Sequence, residues 1–370
     1  MAYRGGELDA RIMHGWVTPL HVAQRLRPVR AGELGRKASS PELLEQTHVQ
    51  VNGLWIPKEN VRDAALVSAG AQAHPRGLAY ELDALTRARL CHLRYPHRVM
   101  SGWTAAAEWG MDCFVDDADT TVLSGGARAV AASAAGVTRR RRTRALARIP
   151  TYRIDPEFPD LQVTAPVLTL IHCLQSLWSG EHSWAVPTGT GLTDTGTQAV
   201  QLVDAMCRTF GIDPAELPEA CAHHLDRSRM ELVTGWCDRG GESPMETLMR
   251  LMVRKIMTGT GRVFRSQMVV HADGTVSDPV HGGTAGNSRI VARLDLGCEE
   301  LKLALQYDGS GHLHRSVRDR DSRINAELAN LDWHVVRVTK GHLDDAAAFR
   351  TVLRDAVGLC ERRLAAREDG

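Results

Sequence analysis

This chain has almost no net charge: 45 Lys and Arg stand against 44 Asp and Glu, a formal +1 over 370 residues. A globally basic polyanion-binding surface is thereby excluded, and any nucleic-acid contact has to come from local clustering. No stretch approaches the ~20 consecutive apolar residues of a membrane span. The opening MAYRGGELDARIMHGW lacks the apolar run of a signal peptide. Aromatic residues are scarce, at 5%. There is no CxxC pair among the eight dispersed cysteines (Cys91, Cys113, Cys173, Cys207, Cys221, Cys237, Cys298 and Cys360). That argues against a zinc site or disulfide framework and for reduced thiols in the cytoplasm. The pair His223–His224 has no ligand-spaced neighbour and reads as solvated or capping rather than metal-binding. What remains is 43% hydrophobic and 24% charged, a soluble globular composition long enough for two or three domains.

The first segment, residues 1–61, reads as a winged-helix-like module. In TPLHVAQRL, Thr18 to Leu26, a cap residue precedes Pro19 at the first helical position, and Ser40–Pro41 repeats that grammar before PELLEQ. In THVQVNGLWIP, Val49 and Val51 alternate with polar residues, Asn52–Gly53 turns, and Leu54 and Ile56 alternate again. Asn-Gly between such runs is a strong hairpin signal. Arg25, Arg27, Arg30, Arg36 and Lys37 precede the second helix and could meet phosphates. Against that, Glu42 and Glu45 on PELLEQ would repel a DNA backbone, so a protein partner is an equal alternative for this module.

Residues 62–240 form a middle segment of α+β type. SGWTAAAEWGM, Ser101 to Met111, reads as a capped helix ending at Gly110, and DTTVLSGG as a short strand. TRRRRTRALAR carries Arg139, Arg140, Arg141, Arg142, Arg144 and Arg148. Such a cluster could neutralise several phosphates and make binding salt-dependent. It also reads as a solvated loop, and the lack of interleaved aromatics weakens a single-strand stacking role. PTGTGLTDTGTQ, Pro187 to Gln198, reads as a flexible insertion. AVQLVDAMCRTF and LPEACAHHLDRSRMELVTGW read as helices, and DRGGES as a boundary.

Residues 241–370 carry the densest chemistry. SPMETLMRLMVRKIM has a helical stripe of Met245, Leu248, Met249, Met252 and Ile256. Ser243 and Glu246 stand at capping-box spacing, which alone would explain this glutamate. RIVARLDL and LKLALQYD alternate and are joined by GCEE, an antiparallel hairpin. Alternation places Arg289, Val291, Arg293 and Asp295 on one face of the first strand. Lys302, Ala304, Gln306 and Asp308 share a face of the second, successive residues ~6.8 Å apart. Ser316 and Asp319 have capping-box spacing, Val317, Ile324, Leu328 and Leu331 mark a helix, and WHVVRVT is a third strand, reached by a parallel crossover. Carboxylates of Glu246, Asp295 and Asp308 converging at the strand end would suit Mg²⁺, which takes one or two carboxylates plus waters and substrate phosphate.

The order SPMETLMR, ARLDL, LKLALQYDGSGH, RDRDSRINAELANLDWHVVRVT resembles the endonuclease domains related to very-short-patch-repair enzymes, in the restriction-endonuclease-like PD-(D/E)xK superfamily, over residues 240–345. Upstream, SGWTAAAEWGM and VTAPVLTLI resemble winged-helix proteins of the abortive-infection type IV antitoxin group. The resemblance implies an α/β restriction-endonuclease-like C-terminal domain. It makes Glu246, Asp295, Gln306, Asp308 and His312 the catalytic set, with Asp295 and Asp308 as Mg²⁺ ligands. Asp321 and Arg323 match an Asp/Arg pair that reads as a structural ion pair. The chain departs from the family in two ways. Gln306 replaces the usual glutamate, offering a carbonyl oxygen but no charge, and no lysine follows Asp308 at the usual offset. Lys302 or His312 are the replacements at hand.

Three readings follow. The first is a DNA-binding regulator of antitoxin type with a degenerate nuclease-fold domain, resting on the Asn52–Gly53 wing, the Arg139–Arg142 cluster and Gln306. The second is a Mg²⁺-dependent DNA endonuclease or nicking enzyme, resting on Glu246, Asp295 and Asp308. The third is a scaffold or toxin-neutralising protein, resting on the acidic PELLEQ helix and the near-zero charge. Double-stranded DNA is the expected partner, with a toxin or other protein as the alternative.

Overall fold

The computed structural model describes residues 3–30, 33, 41–125, 129–133, 136–142, 146–280, 288–309 and 315–368. Arg36, Lys37, Arg144, His312 and His314 lie outside these residues, and only the backbone of Arg140, Arg142 and Asp321 is described. Contacts divide the chain into two units, Met1–Ala185 with Thr209–Leu232, and Val186–Arg208 with Val233–Gly370. No described helix is long and apolar enough to cross a membrane.

The first unit opens with α1 (Gly6–Gly15), α2 (Leu20–Ala23) and α3 (Pro41–Thr47), followed by β1 (His48–Val51) and β2 (Leu54–Pro57). Asn52 and Gly53 both have positive φ, 53° and 79°, and Val51 pairs with Leu54. That is the backbone of a type I′ turn, whose twist suits a two-residue hairpin. The helix expected over Thr18–Leu26 shrinks to α2. Pro19 rather than Thr18 occupies its N-cap, so no side chain closes the first turn.

Next come α4 (Ala64–Ala73), α5 (Ala84–Arg94), β3 (Val99–Met100), α6 (Gly102–Glu108), β4 (Thr120–Ser124), β5 (Ala129–Ser133), β6 (Gly136–Arg142), β7 (Thr151–Tyr152), β8 (Gln162–Thr164) and α7 (Pro166–Trp178). The strands form one mixed sheet in the order β5-β6-β4-β3-β8-β7. The arginine run is therefore strand rather than loop: β6 pairs parallel with β4 and antiparallel with β5. The stretch after Leu217 is also corrected. It breaks into α9 (Leu217–Ala220) and α10 (Arg227–Thr234), with His223 turning the chain at φ 70°.

The second unit contributes α8 (Asp194–Phe210) up to Arg208. This helix starts inside the stretch read as a flexible loop. The Thr193 hydroxyl accepts the Gly196 N–H at 3.1 Å and the Thr190 and Thr197 hydroxyls bond at 2.8 Å, so the threonines cap and tie the helix start. Then follow α11 (Pro244–Ile256), β9 (Arg265–His271), β10 (Val276–Ser277), β11 (Ile290–Cys298), β12 (Leu303–Asp308), α12 (Arg315–Asn330), β13 (His334–Thr339), α13 (Lys340–Asp344) and α14 (Ala346–Glu368). The sheet order is β10-β9-β11-β12-β13. β11 and β12 pair antiparallel, and β12 and β13 pair parallel across α12, as the alternation and spacing predict. β9 escapes the alternation test because it is buried on both faces from Ser266 to His271.

Helices cover both faces of this sheet. On one, Leu296, Leu303, Leu305 and Val338 pack with Leu248 and Met252 of α11 and Phe349 and Leu353 of α14. On the other, Met268, Leu294 and Ala304 pack with Leu328 of α12 and Trp333. Each such fully buried Leu contributes on the order of 2 kcal/mol from removal of apolar surface from water, which pins the strand ends where the polar residues stand.

Candidate functional site at the end of the second sheet

The helix grammar of α11 places Glu246. Ser243 is the N-cap, and its hydroxyl accepts the Glu246 N–H at 3.2 Å and donates to Glu246 Oε1 at 2.9 Å. The returning bond to Oε2 comes from the Glu242 N–H, at 3.2 Å, rather than from Ser243 itself. The capping box is thus displaced by one residue. The same Oε2 accepts Gln267 Nε2 from β9 at 3.1 Å. All these donors are neutral.

Asp295 comes from β11 at the point where the strand changes face. Leu294 packs under α12, yet Leu296 packs under α11. Strict alternation would have put both on one side, so the expectation that Arg289, Val291, Arg293 and Asp295 share a single face fails here, as it does already at the bulge between Ile290 and Ala292, where Val291 and Ala292 join the same core cluster. The pairs Leu294↔Met268 and Leu296↔Ser266 bracket Gln267 opposite Asp295. Gln267 has φ 53°, a left-handed conformation that is costly for a non-glycine residue inside a strand. Both strands switch face at this one rung. Freed from the pleat, the Asp295 carboxylate accepts the Tyr307 N–H at 2.7 Å, a bond of its side chain where the β11–β12 ladder ends.

The electrostatics follow from this crowding. Burial, then the Asp295 charge, pushes Glu246 up to about 7. Burial, then the Glu242 charge, pushes Asp295 up to about 6 against the lowering effect of the Tyr307 N–H and Arg337. Both carboxylates are half-buried and the Asp295 charge acts on Glu246, a state that a cation or a proton relieves.

Gln306 is next: the register that pairs Leu296 with Leu305 carries Asp295 to its level. Gln306 lies beside Arg337 of β13, and Asp308 two rungs further out beside Thr339. Among the described residues, no three His, Cys, Asp or Glu side chains gather as a metal-ligand group, so the three-carboxylate meeting of Glu246, Asp295 and Asp308 reduces to a pair with Gln306 at its flank. A hard divalent cation needs only one or two carboxylates if waters complete its shell, and a pair of acids held by neutral donors fits that demand. Lys302, a stand-in for the missing lysine, sits before the opposite end of β12 and donates to the Leu331 carbonyl at 3.2 Å. The other stand-in, His312, lies outside the described residues, and Arg323 is exposed on α12.

In the first unit, Arg139 and Arg141 face inward. Arg139 bonds Asp119 at 2.9 Å and Glu181 at 3.1 Å, and Arg141 bonds Glu181 at 2.8 Å. Their side chains are only 11% and 18% exposed, so phosphate contact through them would first have to break internal pairs. Near the hairpin, Arg25 pairs with Asp83 and Arg27 with Glu33. Exposed Arg30 lines a cleft of about 590 Å³ with the Asn52–Gly53 turn, Leu90 and Arg94. Glu45 is exposed on α3.

Sequence reasoning missed Gln267 altogether. A glutamine in a strand with no alternation carries no local signal, and its conformation is set by the strands beside it. No family model, curated protein or solved structure matches this chain.

Proposed function

We propose that the second unit is a restriction-endonuclease-like domain that hydrolyses or nicks DNA. The observation that carries this reading is the Glu246–Asp295 pair, raised to about 7 and about 6, at the end of a sheet built as helix, four antiparallel strands, helix and parallel strand. Asp295 and Glu246 would hold Mg²⁺, with the Gln306 amide oxygen as a neutral third donor. The bound ion would polarise the scissile phosphate and make its water acidic enough to attack phosphorus at neutral pH. The chain's own part is geometric. The Tyr307 N–H fixes Asp295, and Ser243, Glu242 and Gln267 fix Glu246. In the first unit, Arg30 and Arg94 beside the hairpin turn supply cations for a phosphate backbone.

The test is nicking of supercoiled plasmid by the full chain with Mg²⁺ or Mn²⁺. Asp295→Asn should lower the rate at least ~100-fold, the scale expected for removing one transition-state charge contact, and EDTA should abolish it. Equal nicking by wild type and Asp295→Asn would remove this chemistry.

A second reading is a DNA-binding regulator of the antitoxin type, with the nuclease fold kept as scaffold. Gln306 favours it, because a neutral amide in place of a carboxylate weakens cation binding. Duplex DNA binding that falls steeply with salt, in a protein inert with both metals, would select it. Capture of a toxin or other protein, with no DNA bound at low salt, would select the scaffold role instead.

A further inference from the structure

We propose that Gln267 is the positioning residue of the Glu246–Asp295 site, turning Asp295 out of the sheet and holding the Glu246 carboxylate against it. The inference rests on the nuclease reading and deepens it. Three observations meet at this side chain. Gln267 is 2% exposed, so its amide group needs partners inside the protein, and Nε2 finds Glu246 Oε2 at 3.1 Å. Its backbone has φ 53°, the one positive φ in β9. The rung it occupies is the one at which β9 and β11 exchange faces, with Met268 and Leu294 on the α12 side and Leu296 on the α11 side.

Without the left-handed residue both strands would keep their alternation through this rung, and Asp295 would be held to one side of the pleat rather than bonding the Tyr307 N–H. Without the amide, Glu246 would keep only the donors of its own helix end, Ser243 and Glu242. Nothing from the sheet would then oppose rotation of its carboxylate away from the Asp295 charge. One glutamine therefore does two jobs, through its backbone and through its side chain, and two substitutions remove the second while leaving the left-handed backbone open to the chain. Gln267→Met keeps length and apolar volume but removes the amide. Gln267→Gly removes the side chain but accepts the positive φ without penalty.

The experiment uses the full chain. Melting temperature, Mn²⁺ affinity by titration, and kcat and KM for plasmid nicking are measured for wild type, Gln267→Met, Gln267→Gly and Gln267→Glu. For Gln267→Met the expected result is a kcat roughly tenfold lower, the loss of one oriented hydrogen bond. Its KM for DNA and its melting temperature should stay unchanged, since a residue that only packs would move stability and leave the kcat-to-KM split alone. Gln267→Gly should melt no lower than Gln267→Met yet nick as slowly. Gln267→Glu should be slower than either at neutral pH, because it sets a third carboxylate against the pair. Full nicking by Gln267→Met, or a loss of rate that tracks a fall in melting temperature across the series, would overturn the proposal. If wild type neither nicks DNA nor binds Mn²⁺, the nuclease reading fails on its own. The positioning claim is then read from a crystal structure of Gln267→Met: a Glu246 carboxylate swung away from Asp295 upholds it, and one left in place overturns it.

Discussion

Glu108, at the end of α6, is fully buried, and no N–H or hydroxyl group of the described residues donates to either carboxylate oxygen. Burial first, then the Asp155 charge, pushes its carboxyl well above the usual range, while Asp155 itself is held by Arg89 at 2.7 and 2.9 Å. Burial thus favours the neutral acid of Glu108 in the folded chain. The folded state keeps a proton that the unfolded state gives up, so stability is full below the ordinary glutamate range and falls as pH climbs towards the raised folded value. The slope is about 1.4 kcal/mol per pH unit while only the folded state holds the proton. Glu108→Gln, neutral at every pH, should match wild type in denaturant melts near pH 5 and exceed it near pH 9. Identical pH profiles would show that Glu108 is ionised in the fold. At this scale the sequence was legible where spacing carries meaning, as for Ser243 and Glu246. It was silent where meaning comes from neighbours distant in the chain, as for Gln267 or the Glu108–Asp155–Arg89 group.

At the scale of elements, β6 is the instructive case. A run of arginines gives no apolar period, so composition alone favours a solvated loop. What makes it a strand is the pairing of β6 with β4 and β5 and the presence of Asp119 and Glu181 to neutralise the inward side chains. Those acids are 4% and 12% exposed. Removing Arg139 would leave Asp119 to Arg76 and Glu181 to Arg141, a loss of about 2 kcal/mol, the scale of a hydrogen bond to a charged group. Arg139→Ala is therefore expected to lower the melting temperature clearly, and any loss of DNA binding in that variant should track unfolding rather than a changed salt slope. Normal stability with a reduced salt slope would restore Arg139 as a phosphate contact. The hairpins, by contrast, could be read directly. Asn52–Gly53 and the LDLGCEELKL link specify their turns locally, whereas β9, buried on both faces, gave no pattern.

For the whole molecule, the second unit includes a piece that sequence order sets apart from it. Val186–Arg208 belongs with Val233–Gly370. The link is chemical: Asp204 of α8, 1% exposed, accepts Arg250 Nη2 at 2.7 Å, the Thr247 hydroxyl at 2.9 Å and the Asp238 N–H at 2.9 Å. A boundary placed near residue 240 by the DRGGES signal separates in sequence what this buried ion pair joins. No local pattern pairs a helix's aspartate with an arginine so much further along. A fragment starting at Val233 should lack a cooperative melt by circular dichroism, because Arg250 would lose its buried counter-charge. One starting at Val186 keeps Asp204 and should melt as a unit. Equal cooperativity of the two fragments would mean α8 is dispensable.

The same threading sets a timetable for synthesis. The segment that carries Asp204 leaves the ribosome before any strand of its own sheet exists, and the chain then returns to finish the first unit through Leu232. The amphipathic α8 has to wait, unpaired, while its partners are still being translated. Pausing or a holdase that covers this helix would raise the yield of folded protein, and a permuted gene that starts at Val186 would shorten the wait.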